Sequence, residues 1–218
     1  MKHLYNLANF IRSIYFNFRY LPFSQAIYLP IYITWNISDI KLKRGQLIIK
    51  KPFRKSIIIG VGGSPGLQCF RGSLYLGSKS SIIFNGFTVI SEGSSIRCDK
   101  NSHIEFGENF YCNKNCFIRS SSNISFGKNC LLGWNIQIND NDGHTICHDE
   151  KWKTMTRPIK IGNRVWCTSN AIITKGVTIS DGCVIAQGAV VTKDMLESNS
   201  LIGGIPANII KKGIRWDK

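Results

Sequence analysis

The segment IGNRVWCTSNAIITKGVTISDGCVIAQGAVV, residues 161–191, repeats with a period of six residues. An aliphatic residue or a cysteine stands at every sixth position, and a second small or branched apolar residue follows four places later. The first set is Ile161, Cys167, Ile173, Ile179, Ile185 and Val191, and the second is Val165, Ala171, Val177, Cys183 and Ala189. A helix spaces its apolar residues three and four apart, and a half-buried strand spaces them two apart. A period of six predicts a parallel β-helix, in which each hexad forms one short strand and a corner and three hexads close one coil.

A second repeat, of 20 residues, precedes this segment. The residues that recur are Ile104, Phe106, Gly107, Asn109, Cys112, Asn115 and Ile118, which return as Ile124, Phe126, Gly127, Asn129, Leu132, Asn135 and Ile138. We interpret this repeat as an 18-residue coil with two residues added at a corner. Asparagine tolerates the left-handed backbone conformation of a tight bend, so its four repeated positions are predicted to be corners.

The N-terminal segment, residues 1–22, is predicted to be helical, because residues 4–18 carry apolar side chains at helical spacing. Its apolar face could pack on the open end of the solenoid or lie on a membrane surface beside Arg12 and Arg19. We favour the packing against the solenoid. The β-helix is then expected over residues 23–205.

The last segment, residues 206–218, is predicted to be a short C-terminal helix and tail. Proline is favoured at the first position of a helix, and Pro206 is placed to start this one.

The net charge of +15 is concentrated near the N-terminus. The basic residues there are Lys2, Arg12, Arg19, Lys41, Lys43, Arg44, Lys50, Lys51, Arg54 and Lys55, against Asp39 alone. Such an excess indicates either a solvated surface or attraction to anionic lipid or an acidic polymer. Nucleic acid is not an expected partner, because no recognition motif accompanies the charge.

The eight cysteines indicate a reducing compartment. Five of them, Cys112, Cys116, Cys130, Cys167 and Cys183, occupy repeat positions that take small apolar residues, where a free cysteine behaves as a small hydrophobe. The sequence shows no bilayer-length apolar run and no signal-peptide pattern. We therefore expect a cytoplasmic protein, with peripheral contact at the inner face of the membrane as an open alternative.

Residues 139–158 interrupt the repeat inside its best region, and we expect them to form an extruded loop. Loops that leave a rigid scaffold commonly carry function. This one contains DNDGHTI, residues 140–146, with His148 shortly after. Alone, a loop histidine such as His144 is more often a surface residue, and the nearby aspartates fit simple turn chemistry.

Five motifs together resemble the hexapeptide-repeat acyltransferases. They are DNDGHTI (140–146), RPI (157–159), IGNRVW (161–166), GAVVTKD (188–194) and GGIPA (203–207), and the resemblance covers about residues 80–212. Within that superfamily the sequence is most similar to the maltose and galactoside acetyltransferases and to the O-acetyltransferases of capsular and O-antigen polysaccharides. The resemblance implies a left-handed β-helix, a homotrimer, and acetyl-CoA bound between neighbouring prisms. No metal is expected.

The same resemblance assigns site residues. His144 matches the catalytic histidine, which takes a proton from the acceptor hydroxyl. Asp142 or Asp140 would orient the imidazole, and Trp166 would line the acetyl site, with its backbone N–H or a neighbour's as an oxyanion donor. The positions that match coenzyme A contacts are Trp166, Ser169, Gln187, Thr192, Lys193, Gly204, Pro206 and Lys211.

The expected activity is transfer of acetyl from acetyl-CoA to a sugar hydroxyl of a bacterial surface polysaccharide or its precursor. An N-acetyltransferase of an amino sugar is the alternative among transferases. A γ-type carbonic anhydrase uses the same fold but needs three zinc histidines, and the sequence holds only His3, His103, His144 and His148.

Overall fold

The computed structural model describes residues 2–217, with side chains from Asn6 onward, and most of these residues form short strands. The elements in chain order are α1 (Lys2–Tyr20), α2 (Phe23–Ala26), β1 (Ile31–Ile33), β2 (Ile37–Lys41), β3 (Leu47–Ile49), β4 (Ile57–Ile59), β5 (Gly72–Leu76), β6 (Ser81–Phe84), β7 (Thr88–Ile90), β8 (Ser95–Cys98), β9 (His103–Phe106), β10 (Phe110–Cys112), β11 (Phe117–Ser120), β12 (Asn123–Phe126), β13 (Leu131–Leu132), β14 (Gln137–Asn139), β15 (Cys147–His148), β16 (Lys151–Trp152), β17 (Ile159–Ile161), β18 (Trp166–Cys167), β19 (Ile172–Ile173), β20 (Thr178–Ile179), β21 (Val184–Ile185), β22 (Val190–Val191), β23 (Leu201–Gly204) and β24 (Ala207–Lys211).

Successive strands go to three different sheets in turn, so the chain forms a parallel β-helix with three faces, and the helix is left-handed. Sheet 1 has the order β1-β4-β7-β10-β13-β18-β21-β23-β24, sheet 2 the order β2-β5-β8-β11-β14-β19-β22, and sheet 3 the order β3-β6-β9-β12-β17-β20. Only the last pair of sheet 1, β23 with β24, is antiparallel within these three sheets. The predicted fold is confirmed, and its hand is the exception to the usual right-handed crossover.

Strand pairing confirms both predicted coil lengths. Tyr111 pairs with Leu131, 20 residues later, and Trp166 pairs with Val184, 18 residues later. Between these regular coils, Leu131 pairs with Trp166, 35 residues later, because the inserted loop lies in that coil.

The interior confirms the hexad register. Every residue of the two hexad sets is buried, and Ile173 and Ile179 are 0% and 1% exposed. The wider coils before the loop are filled by phenylalanines instead: the ring of Phe106 lies 5.6 Å from Phe84 and 5.5 Å from Phe126. Larger coils therefore enclose larger side chains, as close packing requires.

The corner prediction is also confirmed. Asn109, Asn115, Asn129 and Asn135 all have φ between 57° and 64°. Their amides stack along the axis, since Asn109 donates to Asn129 at 3.0 Å and Asn135 donates to Asn170 at 3.1 Å. The five cysteines at repeat positions are buried thiols, and burial raises the pKa of the Cys167 and Cys183 thiols.

Helix α1 does cover the open end of the solenoid, but with the opposite face from the one we predicted. Asn9, Ser13 and Asn17 are buried against β1, whereas the apolar residues Leu7 and Ile11 are exposed. The Asn17 side chain donates to Ile31 O at 2.6 Å and accepts from Ile31 N at 3.0 Å, and Ser13 Oγ accepts from Ile33 N at 3.0 Å. An edge strand has unpaired backbone groups, so polar side chains suit this position better than apolar ones. The side chain of Leu4, in the predicted apolar pattern, lies outside the described residues.

The cap reaches the first strand of all three sheets. Trp35 N donates to Asn9 Oδ1 at 3.2 Å beside sheet 1, and an Arg12 guanidinium nitrogen donates to Ile37 O at 2.5 Å in sheet 2. Gln25, in α2, donates to Ile49 O at 3.3 Å in sheet 3.

The predicted C-terminal helix is wrong. Residues 207–211 form strand β24, which turns back at residues 205–206 and pairs with β23. Pro206 therefore lies in a hairpin turn and does not begin a helix. The free edge of β23 offers backbone partners, and the branched side chains of Ile209 and Ile210 favour an extended chain.

The extruded loop is present and forms a hairpin. Its legs pair through β15 and β16 and through an antiparallel bridge between Asn141 and Thr156. Arg157 N donates to Asp140 O at 3.1 Å where the loop rejoins the prism.

Candidate active site

A groove of about 500 Å³ runs along the corner between sheets 1 and 2, across the coils on both sides of the loop. Its lining residues are Asn113, Leu131, Leu132, Gly133, Trp134, Trp166, Thr168, Ser169, Val184, Ala186, Gln187 and Leu201. Three of the predicted coenzyme A contacts, Trp166, Ser169 and Gln187, are therefore brought together. The lining residues belong to five successive coils, from β10 to β23, and stacked strands are about 4.8 Å apart, so the groove is about 19 Å long.

The floor of the groove is an apolar column that sequence analysis missed except for Trp166. Leu131, Trp166, Val184 and Leu201 are paired in register on successive strands of sheet 1, with their side chains outside the core. The signal was available: each of these apolar residues stands directly before a buried core residue, where a solvated face would carry a polar one. An apolar floor with a few polar side chains at its rim is typical of a ligand site.

The ring of Trp166 packs against Trp216, with centroids 5.7 Å apart, and Trp216 Nε1 donates to Arg164 O at 2.8 Å. The backbone N–H of Trp166 donates to Cys183 O at 2.9 Å in the strand ladder. That N–H is therefore not available as the oxyanion donor that we considered.

Ser169 lies beside Gly133 at the corner of the groove. A Cβ on Gly133 would come within 2.7 Å of Ser169 N and 2.9 Å of Ser169 Oγ. Glycine is required here because the two coils approach so closely.

The other predicted cofactor residues lie at the C-terminal end of the prism. Thr192 and Lys193 follow β22, and Lys193 Nζ donates to Asn208 Oδ1 of β24 at 2.7 Å. Gly204, Pro206 and Lys211 belong to the terminal hairpin, which begins at the coil next to Gln187. Gly204 has φ of 100°, in the left-handed region that the turn uses.

His144 lies on the inserted hairpin, exposed, just after the turn at Gly143. A hydrogen bond from Gly143 N to the Asn141 side chain closes this turn. Within the described residues His144 has no carboxylate partner, whereas His148 Nδ1 lies 3.1 Å from a carboxylate oxygen of Asp149.

In the part of the chain that the structure describes, neither aspartate proposed to orient His144 forms a hydrogen bond or ion pair with it. Asp142 forms an ion pair with Lys175, on the next coil, and so holds the loop to the prism. Asp140 is buried and accepts from Ser121 N at 2.6 Å, Ser122 N at 2.9 Å and Ser120 Oγ at 2.9 Å. Burial raises the pKa of the Asp140 carboxyl, and these hydrogen bonds oppose the rise.

The hairpin and the groove lie at different corners of the prism. The hairpin leaves after β14 in sheet 2 and rejoins at β17 in sheet 3, whereas the groove borders sheets 1 and 2. His144 is accordingly absent from the residues that line the groove of its own chain.

The side chains that the structure describes, from Asn6 to Asp217, form no cluster of metal ligands. Among residues 2–217, no three His, Cys, Asp or Glu side chains come together as a metal site requires. His103, on β9, hydrogen-bonds Ser81 at 2.8 Å.

A sequence relative with a known activity is the galactoside O-acetyltransferase of Escherichia coli (strain K12), which is 39% identical over 72 residues, 32% of this chain and 35% of the relative. The chain resembles the hexapeptide-repeat acyltransferases in sequence and fold. A chloramphenicol acetyltransferase of Agrobacterium fabrum (strain C58 / ATCC 33970) is 52% identical over 52 residues, 24% of each chain. The chain thus spans about a quarter to a third of the length of these curated relatives. No protein-family model matches it.

Among solved structures, the polySia specific acetyltransferase NeuO superposes with a TM-score of 0.60 at 24% identity. The match covers 86% of this chain and 73% of that one. It shows that the two proteins share their fold over most of this chain, including coils before the regular hexads.

Proposed function

We propose that this protein is an acetyl-CoA-dependent O-acetyltransferase that modifies a sugar hydroxyl of a bacterial surface polysaccharide or its precursor. The observation that carries the proposal is the combination of one histidine-bearing hairpin with an apolar groove on an otherwise regular β-helix. The activity of the galactoside O-acetyltransferase relative supports the transferred group, and the polySia specificity of the structural relative supports a polymeric saccharide acceptor.

The groove suits a coenzyme A thioester in shape and chemistry. Its apolar floor fits a pantetheine arm, and Ser169 and Gln187 can hydrogen-bond the arm's amides. Near the terminal hairpin of β23 and β24, Lys193 and Lys211 are exposed and can pair with the phosphate groups of coenzyme A, as lysines commonly do.

We propose that the working enzyme is a homotrimer in which the loop of one chain reaches the groove of the next. His144 and the groove are at different corners of one prism, so a neighbouring copy brings them together. The outward column of sheet 1 supports such packing, because it is apolar along the whole solenoid: Tyr32, Ile58, Val89, Tyr111, Leu131, Trp166, Val184 and Leu201. Sheets 2 and 3 carry charged residues such as Arg97, Arg119 and Lys160 at their outward positions. A long apolar stripe on one face marks a contact surface.

His144 acts in this proposal as the general base. The thioester supplies an activated acetyl carbonyl. The neutral imidazole takes the proton of the acceptor hydroxyl as its oxygen forms the new C–O bond, the C–S bond breaks, and the proton passes on to the leaving sulfur. Positioned imidazoles of this kind contribute about 10²–10⁴ in rate.

The test is His144→Ala, with His148→Ala as the matched control. Both histidines are exposed on the same hairpin, so both variants should keep the fold and the assembly. Release of coenzyme A would be measured against bacterial glycans, their monosaccharides and chloramphenicol. We expect kcat to fall about 10²–10⁴-fold for His144→Ala and to stay within about twofold for His148→Ala. Retention of more than a tenth of the wild-type rate by His144→Ala would contradict the assigned role, and a preference for chloramphenicol would contradict the assigned acceptor.

A further inference from the structure

The outer surface of α1 is apolar although the helix lies at the surface of the protein. Leu7, Ile11, Tyr15 and Phe18 form one stripe along it and are between 39% and 65% exposed. The opposite face is fixed by hydrogen bonds of Ser13 and Asn17 to the first strand and of Asn9 to Trp35 just beyond it. The helix cannot rotate to bury the stripe without breaking those bonds.

The apolar surface continues beyond the helix. The ring of Phe23, at the start of α2, lies 6.0 Å from that of Phe18, and Phe23 is exposed. Ile27 and Tyr28, which follow α2, are also exposed. This set of large side chains covers one end of the solenoid, which is more than the scattered exposed residues of an ordinary surface.

Basic side chains border the stripe on two sides. Arg19 lies in the last turn of α1, and Arg44 packs beside it, with its Nε donating to Arg19 O at 3.3 Å. On the other side, Arg54 and Lys55 lie next to Phe10 and Ile14 of the helix. Residues 6–60 contain nine Lys or Arg and one Asp.

We propose that this end of the protein, α1 and α2 with the basic corners around residues 44 and 54, binds the surface of an anionic lipid bilayer. A helix lying in the interface buries its apolar face among the acyl chains while basic side chains meet the anionic headgroups. The described chain holds no helix long and apolar enough to cross a bilayer. In the proposed arrangement the stripe lies along the membrane surface.

Charge decides for lipid against the other occupants. If a second copy of the chain docked on this surface, the basic residues of the two copies would face each other. Their repulsion would disfavour binding, because like charges placed together cost free energy. An acidic polymer would satisfy the charge but would leave Ile11, Tyr15 and Phe18 in water. An anionic bilayer satisfies both features at once.

The placement has a geometric consequence that is independent of the reaction. Five strand spacings of sheet 1 separate β1 from β18, so Trp166 would stand about 24 Å from the capped end along the axis. The groove and the hairpin thus remain in water when the end is bound.

The experiment is co-sedimentation of the full chain with vesicles of phosphatidylcholine and phosphatidylglycerol, and with vesicles of phosphatidylcholine alone. The test variant is Ile11→Ser/Tyr15→Ser. The matched control is Phe70→Ser/Leu196→Ser, which removes two side chains that are 80% and 68% exposed elsewhere. A second pair compares Arg54→Glu/Lys55→Glu with Lys79→Glu/Lys100→Glu, which has the same net charge at another exposed corner.

We expect wild type and both controls to bind the anionic vesicles. The partition coefficient of each test variant onto these vesicles should be at least tenfold lower than that of wild type. Binding should weaken as salt shortens the Debye length from about 10 Å at 0.1 M to about 3 Å at 1 M. Equal binding by Ile11→Ser/Tyr15→Ser and wild type would overturn the proposal. The proposal would also be overturned if wild type formed an oligomer without lipid and Ile11→Ser/Tyr15→Ser dissociated that oligomer. A second copy of the chain would then occupy this surface. Circular dichroism checks that each variant is folded.

Discussion

The two ends of this solenoid are closed in different ways. At the N-terminal end, buried amide and hydroxyl side chains of a helix bond the backbone of the first strands. At the C-terminal end, the chain turns back and β24 pairs with β23 by backbone hydrogen bonds. Both satisfy an edge strand, but only the first depends on individual side chains and leaves an apolar helix face for another use.

The difference predicts where the structure is sensitive to substitution. A backbone pair survives most changes of side chain, because its hydrogen bonds belong to the main chain. A cap made by side chains is lost when one of its residues is substituted, because the N–H and C=O groups of the strand stay buried and lose their hydrogen-bond partners.

The stability cost of a substitution in the interior is the reference for the costs at the two ends. Ile173 is fully buried with a coil on either side, so Ile173→Ala should lower the free energy of unfolding by roughly 2–5 kcal/mol. Chemical denaturation would measure it. A variant as stable as wild type would mean that the coil collapses around the missing atoms. The stability loss in the interior could then not be used as a reference for the losses at the two ends.

Asn17→Leu tests the N-terminal end. It leaves Ile31 N–H and Ile31 C=O without their partner, and each buried unsatisfied group costs about 1–3 kcal/mol, so we expect the free energy of unfolding to fall by about 2–6 kcal/mol. Hydrogen exchange of the β1 amides should also accelerate while exchange at β18 stays the same. Unchanged protection at β1 would show that the helix holds the strand by other contacts.

Asn208→Leu is the same substitution at the other end. The exposed Asn208 side chain bonds Lys193 Nζ at 2.7 Å and Pro206 O at 3.1 Å, and water can replace it in both. We expect a change in the free energy of unfolding of less than about 1 kcal/mol. A loss equal to that of Asn17→Leu would remove the contrast between the two ends.

The solenoid could be predicted from the sequence because its signal is local and repeated. Each hexad is read independently, and burial of Ile173 and the left-handed corners at Asn109 and Asn129 follow from the register alone. The hairpin around His144 was found for the same reason, since it interrupts a regular pattern.

The errors concern segments that occur once. In α1, the polar residues Asn9, Ser13 and Asn17 have the same helical spacing as the apolar ones, so periodicity cannot say which stripe faces the protein. Residues 207–211 become a strand only because the edge of β23 is beside them. The ion pair between Asp142 and Lys175 joins residues 33 apart, and only the closed coil reveals it.

The helix that closes the first coil also affects how the folded chain would respond to proteolysis. A proteolytic cut near Leu21 would remove the partners of Ile31 and Ile33 and expose the first strand to other molecules. Unpaired strands of this kind add further strands from neighbouring chains, which is how ordered aggregates grow. The N-terminal helix thus occupies the strand edge at which such addition would begin.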